Sequence, residues 1–312
     1  MSLALTAAPR TCVRKYARSG LIWPQRRGCK HHPQASSHSV VQEAVQASQA
    51  EASSRLPRFY SDTDLPEITG SRIELSTAES KHATRVLRLS SEALVEVCNG
   101  HGQIVSGRLI TQSKAAAHVL TTTQVQQVPW QGSKWELVVA CGSLQNSRAD
   151  YLVEKCTELG AWSFRPVLTE RSPGIGWKGV GKATKGGSEQ GSSRIARWQR
   201  IADAASKQSL RAHNLILQPA TTLKELGPLV RAAPTAWVGA AGGSALRDQP
   251  QPRPTGACIP GMLIVGPEGD FTMAELEQLL QDGAQLVSLG FHRLRVETAA
   301  VAMLSAAQLL VA

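Results

Sequence analysis

Residues 262–276 read MLIVGPEGDFTMAEL and residues 288–304 read SLGFHRLRVETAAVAML, and these two stretches decide the fold. Each is an apolar strand that stops at a glycine, turns tightly and then starts a helix. Gly266 and Gly269 flank Pro267 and Glu268, so the turn has access to backbone angles other residues resist and brings bare amides close to a ligand. Thr272 and Glu275 form a T-x-x-E capping box that starts a helix directly after the loop. Gly290 repeats the strand-end glycine, and Arg295, Glu297 and Thr298 open the last helix. Two such loops in one α/β domain point to a ligand held by backbone at the strand ends.

Working outward, strand and helix signals alternate through the C-terminal part. Residues 136–140 read as a strand, and 147–159 as a helix with Leu152, Cys156 and Leu159 on one face and Gly160 as its stop. Residues 165–168 read as a strand, and 194–210 as a helix burying Ile195, Trp198, Ile201 and Ala205. Residues 215–217, 235–239, 262–266 and 286–289 complete the strands, and 296–311 is the final helix. The alternation predicts a mostly parallel sheet covered on both faces. Residues 172–193 are Gly/Ser/Lys-rich without apolar period and read as a loop, as does the Pro/Gln-rich run 249–256.

Before residue 129 the pattern differs. ALVEVCNG, QIVSGRLIT and AAAHVLTTT, between 93 and 123, are short β-like runs with Asn99-Gly100 as a turn signal. Ser76 and Glu79 read as a second capping box, opening a helix that carries His82, Arg85, Val86 and Leu89. The domain reading is therefore leader and linker over 1–56, a β-rich domain over 57–128, a hinge at 129–133 and an α/β domain over 133–312.

The formal charge is +10, but residues 1–42 hold seven Lys/Arg and no acid; the rest has 27 basic against 24 acidic residues, or +3. That balance permits a nucleic-acid partner without arguing for one. The acid-free, Arg-rich start has the composition of an organelle transit peptide, read as chloroplast with mitochondrion as the alternative; a plain basic tail is the competing reading. No apolar run reaches the roughly 18 residues of a membrane span. None of the six cysteines makes a C-x-x-C pair and no H-x-x-x-H occurs, so neither a disulfide framework nor a metal site is indicated. Cys141 and Cys156 read as buried thiols. No G-x-G-x-x-G follows the first strand of the α/β part, which argues against a Rossmann dehydrogenase.

Several further segments bear on family: Arg58-Phe59-Tyr60, ATRVLRL at 83–89, EKCTELG at 154–160, TERS at 169–172 and RWQRIADAASKQSLR at 197–211. With LIVGPEGDFT at 263–272, SLG at 288–290 and LRVETAAVAML at 294–304, they make a chain that resembles the RsmE family of 16S ribosomal RNA uridine-N3 methyltransferases, of the knotted SPOUT class. The match spans nearly all of 58–308. GPEG alone is weak; GPEG, then LG, then LR-x-ET, preceded by TELG and KQS-x-R, is highly specific. The resemblance implies a PUA-like β-barrel domain followed by a SPOUT α/β domain with a deep trefoil knot, which periodicity does not reveal. It also implies a homodimer, small-subunit ribosomal RNA as partner, and S-adenosylmethionine as cofactor, without a membrane or metal.

That likeness places the cofactor against Val265, Gly266, Pro267, Glu268, Gly269, Leu289, Gly290, Leu294, Arg295 and Thr298. The donor carries no phosphate, so no Walker-type lysine is needed. Uracil N3 must lose its proton before it attacks a methyl group, and the charge then spreads onto the flanking carbonyl oxygens. Arginine suits those oxygens, which makes Arg295 the catalytic candidate, with Glu297 as orienting partner or proton acceptor. The competing reading is an Arg295–Glu297 ion pair that merely fixes the last helix. Glu268 is open between ribose hydroxyls and turn capping. N3 lies on the pairing edge, so the base must be unpaired, at a cost of roughly a few kcal/mol. Arg85, Arg88, Arg171, Arg197, Lys207 and Arg211 are the candidate phosphate contacts, with solvated helix surface as the plain alternative. Lys178, Lys182 and Lys185 either reinforce RNA contact or belong to an inert insertion.

The chain departs from the family pattern at Gln145, where lysine is common, with Arg148 retained. Asp270 replaces a frequent glycine, Val296 a frequent threonine, and His292-Arg293 stand for Arg-Ile; residues 237–245 match poorly. Two rivals remain: a knotted methyltransferase acting on another base or a ribose hydroxyl, and a non-catalytic ribosome-assembly factor.

Overall fold

Side chains along a strand alternate between faces, and here both faces of one sheet are apolar. Leu137, Val139, Leu263 and Val265 point to one side, and Val138, Ala140, Met262 and Ile264 to the other; all are buried. Such strands pair in parallel with helices on each face. The computed structural model describes residues 56–113, 115–140, 147–172, 189–249 and 260–310, all within one compact unit, Leu56–Ala312. The basic leader, most of the linker, most of the 172–193 and 249–256 loops, Gln145 and Cys141 lie outside the described residues.

The first part is a mixed sheet of β1 (Arg58–Tyr60), β2 (Arg72–Glu74), β3 (Leu94–Cys98), β4 (Gln103–Ser113), β5 (Ala116–Thr121) and β6 (Gln126–Gln127), in the order β1-β3-β4-β5-β2 with β6 on β4. Only β1 and β3 run parallel. No described ladder joins β1 to β2, so a closed barrel is not what the pairing forms. The Asn99-Gly100 turn is real: Gly100 takes φ +72°, and Asn99 Oδ1 accepts from the amides of His101 (2.9 Å) and Gln103 (3.1 Å). The box at Ser76 is half formed. Ser76 accepts from the Glu79 amide at 3.2 Å, while the Glu79 carboxylate pairs with Lys207. The short helix α1 (Thr77–Lys81) then widens into a π-helical turn, His82–Val86.

The second part is a seven-stranded, all-parallel sheet. It comprises β7 (Lys134–Val139), β8 (Ser163–Leu168), β9 (Ile216–Leu217), β10 (Thr221–Thr222), β11 (Ala236–Ala245), β12 (Pro260–Val265) and β13 (Gln285–Ser288). Its order is β10-β8-β7-β12-β11-β13, with β9 on β8. One face packs α2 (Ser147–Glu158), α3 (Glu189–Gln208) and α6 (Val296–Leu310) through Leu152, Trp198, Met303 and Leu304 around a stacked Trp135–Trp237 pair. The other packs α4 (Leu223–Ala232) and α5 (Met273–Gln281) through Leu226, Val230 and Leu279. Helix α3 starts at Glu189, inside the stretch read as loop. Helix α4, with a complete Thr222–Glu225 capping box, was not anticipated. No described helix is long and apolar enough to cross a membrane.

The two sheets meet along 209–214. The amide of Gly102 donates to Ala212 O at 2.9 Å and that of Asn214 to Gly100 O at 2.8 Å. Tyr60 Oη donates to Arg211 O at 2.8 Å, Arg58 to Leu210 O at 2.5 Å, and His213 Nε2 to Val128 O at 2.8 Å. Burial raises the Tyr60 hydroxyl above its ordinary range, so it stays a donor. Backbone groups paired across such a join hold it firmly, because opening it strands polar atoms.

Candidate cofactor cleft

Three strand ends on one rim of the parallel sheet form the site. Strand β12 stops at Val265 and the chain turns over 266–269, closed by Asp270 N donating to Pro267 O at 2.8 Å. Gly266 sits on the Phe271 ring, where an added Cβ would lie 3.0 Å away. The Thr272–Glu275 box forms as expected, and Glu275 also accepts from the Glu170 amide at 2.8 Å. Strand β13 ends at Ser288, and Gly290 takes φ +131°, where other residues strain. Arg293 donates to the Glu268 carbonyl, joining the two loops.

The third wall is the far half of β11. Its register against β13 breaks between Gly239 and Ser244, both opposite Val287, which loops out Ala240-Ala241-Gly242-Gly243. A Cβ at Gly243 would come within 2.7 Å of the Val287 backbone. The three walls enclose an open cleft of about 1160 Å³. Val265, Gly266, Pro267, Glu268, Gly269, Leu289, Gly290 and Leu294 all line it; Arg295 and Thr298 do not. The 239–247 segment is the part sequence reasoning missed. Its run of small residues was the available signal. Apolar Val265, Leu289 and Met303 line the cleft beside the backbone of the glycine loops, a lining that suits a flat purine.

Behind the cleft lies a charge cluster. Arg148, on the first turn of α2, donates to both Glu297 oxygens, from Nε at 3.0 Å and Nη2 at 2.7 Å, and from Nη2 to Glu268 at 3.0 Å. The Arg148 hydrogen bonds hold the Glu297 carboxyl below its usual range, against partial burial, and Arg295 adds to the effect. The ion-pair partner of Glu297 is thus Arg148 rather than Arg295, which is exposed. A carboxylate held in this way orients its neighbours and is a weak base for an imide proton. Arg148 was not among the expected site residues.

The phosphate candidates separate into two groups. Arg85 and Arg88 are exposed on the π-helical turn and the bend after it, where Arg88 has φ +52°. Arg171 is exposed beside the cleft and donates to the Gly269 carbonyl. The others are engaged. Arg197 pairs with Asp150, and Lys207 pairs with buried Glu79 and lies 5.2 Å from the Tyr60 ring. Arg211 turns inward, donating to Thr157 O at 2.5 Å and Ala161 O at 3.0 Å, 5.3 Å from the Trp130 ring. Burial pushes its pKa down to about 10. Lys207 therefore ties α3 to the first part, and Arg211 ties the segment after α3 to the end of α2, so both side chains are engaged within the fold, contrary to their reading as RNA contacts.

An all-parallel sheet whose last strands end in glycine loops around a largely apolar cleft defines an α/β protein with a ligand cleft at its strand ends. Residues 131–308 match the RNA methyltransferase domain family, and the chain belongs to it. It is 28% identical over 263 residues to the Ribosomal RNA small subunit methyltransferase E of Synechocystis sp., covering 80% of this chain and 78% of that protein. The Bacillus subtilis protein of the same name is 25% identical over 256 residues, covering 77% of this chain and 93% of its own. Among solved structures, the Neisseria gonorrhoeae Ribosomal RNA small subunit methyltransferase E bound to S-adenosyl methionine superposes with TM-score 0.66 at 25% identity, covering 82% of this chain and 98% of that one. The Legionella pneumophila protein Lpg2936, solved with bound SAM, gives TM-score 0.65 at 26% identity with the same coverage.

Proposed function

We propose that this protein transfers a methyl group from S-adenosylmethionine to N3 of a uridine in small-subunit ribosomal RNA. The observation that carries the reading is the cleft: eight of the residues expected to hold the cofactor line one cavity, in a fold shared with relatives solved with that nucleoside. Bound there, the sulfonium supplies an electrophilic methyl group. The residues do the rest by position. Val265, Leu289 and Met303 give the purine an apolar slot and exclude water, while the backbone of the two glycine loops reads its polar edge. Arg295 does not line the cleft itself; it is exposed next to the lining residues Leu294 and Val296, and in this reading its guanidinium faces the uracil oxygens as charge develops on them. Glu297 orients, and the imide proton passes to water.

Arg85, Arg88 and Arg171 are the RNA contacts in this reading, with the single-stranded base presented at the cleft. The mixed sheet acts as a PUA-like RNA platform. Strand β12 inserts between β7 and β11 while β13 lies beyond β11, and α6 returns to pack on α2 and β7; this crossing supports a deep trefoil knot. Exposed Leu294 and Leu309 at the cleft rim favour a homodimer, tested by light scattering on the eluting protein. The acid-free leader supports import into a chloroplast, with mitochondrion as the alternative, tested by imaging a fluorescent fusion.

The deciding experiment has two stages. Calorimetric titration with S-adenosylmethionine comes first, where saturable binding is expected and none would favour an assembly factor. Incubation with small ribosomal subunits and mass analysis of nucleosides follows. N3-methyluridine is the expected product; methylation of another base or a ribose hydroxyl overturns the specificity. Arg295→Ala lowers turnover of folded protein, and near-normal turnover would remove Arg295 from the chemistry.

A further inference from the structure

The loops that line the cleft are poor at holding themselves. Around Gly290 no atom beyond its chain neighbours lies within 4 Å of where a Cβ would be, and the nearest neighbours of a Cβ at Gly266 are atoms of the Phe271 ring. Glycines give backbone access at the expense of stiffness. The Arg293 bond to the Glu268 carbonyl is one tie between the loop after β12 and the segment that enters α6, and a second is needed to fix their spacing. Arg148 is placed to do it. Its helix is anchored by Leu152, Val153 and Cys156, all with no exposed surface, so the guanidinium projects from a fixed base. One end of the fork holds both oxygens of Glu297, and the shared Nη2 also holds Glu268. Bidentate arginine–carboxylate pairs fix orientation as well as distance. Glu268 lines the cleft, whereas Arg148 and Glu297 do not. The guanidinium therefore reaches the bound nucleoside only through the loop it holds.

We propose that Arg148 is the positioning residue of the cleft, clamping the 266–269 loop to the first turn of α6 through Glu268 and Glu297 and so setting the spacing at which the two walls receive the donor nucleoside. The proposal rests on the cleft being the S-adenosylmethionine site. Its removal leaves two carboxylates side by side without a shared cation, and the loops part. The charged groups acting on Glu297 are Arg148, the largest, and Arg295, and Arg148 also reaches Glu268.

The test compares wild type, Arg148→Lys, Arg148→Ala and the double variant Arg148→Ala/Glu297→Gln, each checked for native circular dichroism. In Arg148→Ala, affinity for S-adenosylmethionine falls by roughly 10- to 100-fold, as expected when a charged hydrogen-bond partner is removed, while kcat at saturating donor changes little. Arg148→Lys keeps part of the affinity. The double variant recovers much of the loss, because the repulsion is gone. The Glu297 carboxyl, followed by carbon NMR, titrates at higher pH in Arg148→Ala than in wild type. Unchanged affinity and an unchanged Glu297 titration overturn the clamp. A loss in kcat alone, without recovery in the double variant, also overturns it and makes Arg148 a contact of the reacting base. If Arg148→Ala does not fold, Arg148→Lys and Arg148→Gln carry the test by direct titration: each weakens binding of S-adenosylmethionine, and an affinity equal to wild type in both overturns the proposal. Wild-type protein that binds no S-adenosylmethionine overturns the function instead, and the Glu297 titration then decides the clamp alone.

Discussion

Arg211→Ala separates a structural arginine from an RNA contact. The side chain donates to two backbone carbonyls, Thr157 O and Ala161 O, at the C-terminal end of α2, and lies over Trp130. Two hydrogen bonds from a charged donor contribute roughly 1.5–3 kcal/mol each, and the aromatic contact adds about 0.5–2 kcal/mol. Burial of the cation, visible in its pKa of about 10, offsets part of this. A net loss of about 3 kcal/mol remains, which lowers the melting temperature by roughly 6–12 °C for a body of this size. Arg211→Lys, whose ammonium cannot fork across both carbonyls, loses about half as much. The assay pairs thermal melts by circular dichroism with fluorescence anisotropy of an RNA probe across a salt series. The structure requires a lower melting temperature with the salt slope of RNA binding unchanged. An unaltered melt, together with a slope reduced by about one unit, would mark Arg211 as a phosphate contact and refute the reasoning.

The join carries a pH dependence. Burial, the largest effect, lowers the His213 pKa below 6.5, so the fold prefers the neutral ring; stability from this site is present above 6.5 and lost as pH falls through the lowered value. Melting temperature should thus fall more steeply from pH 7 to 5 in wild type than in His213→Gln, and parallel curves would contradict it. Gly243→Val forces a side chain against the Val287 backbone and should cost about 1–3 kcal/mol and abolish detectable donor binding, read by melts and calorimetry. Burial raises the thiol pKa of both Cys98 and Cys156, so neither should react with iodoacetamide at pH 8 until the protein unfolds, as peptide mass mapping would show.

What could be read from the chain was whatever its local chemistry determines. Gly160 and Gly283 end their helices in Schellman turns, with the amide of Ala161 reaching Cys156 O and that of Ala284 reaching Leu279 O, both at 3.0 Å, and a glycine at each left-handed position. The 266–276 turn and cap were legible for the same reason: every group that shapes them lies within a few residues. Helix α3 ends in the same motif, with the Arg211 amide on Ser206 O at 2.9 Å, but its left-handed residue is Leu210, at φ +55°. Nothing in Leu210 announces a stop. The sequence pattern therefore carries the helix to 210, which leaves Arg211 on its outer surface as a candidate phosphate contact. The unexpected turn swings the guanidinium inward, so one concealed helix end accounts for both the missed boundary and the misplaced RNA contact. The other omissions are of long range. The bulge in β11 exists because Gly239 and Ser244 share Val287 as partner, and the Arg148–Glu297 pair joins residues 149 positions apart. Both depend on strand order, and strand order was the one property that neither composition nor periodicity carried. The two glycine loops singled out by the family likeness line one cleft, and they were legible because their motifs are contiguous. It left Arg148 unassigned, since a single arginine on a helix becomes meaningful only when the sheet brings Glu268 and Glu297 to it.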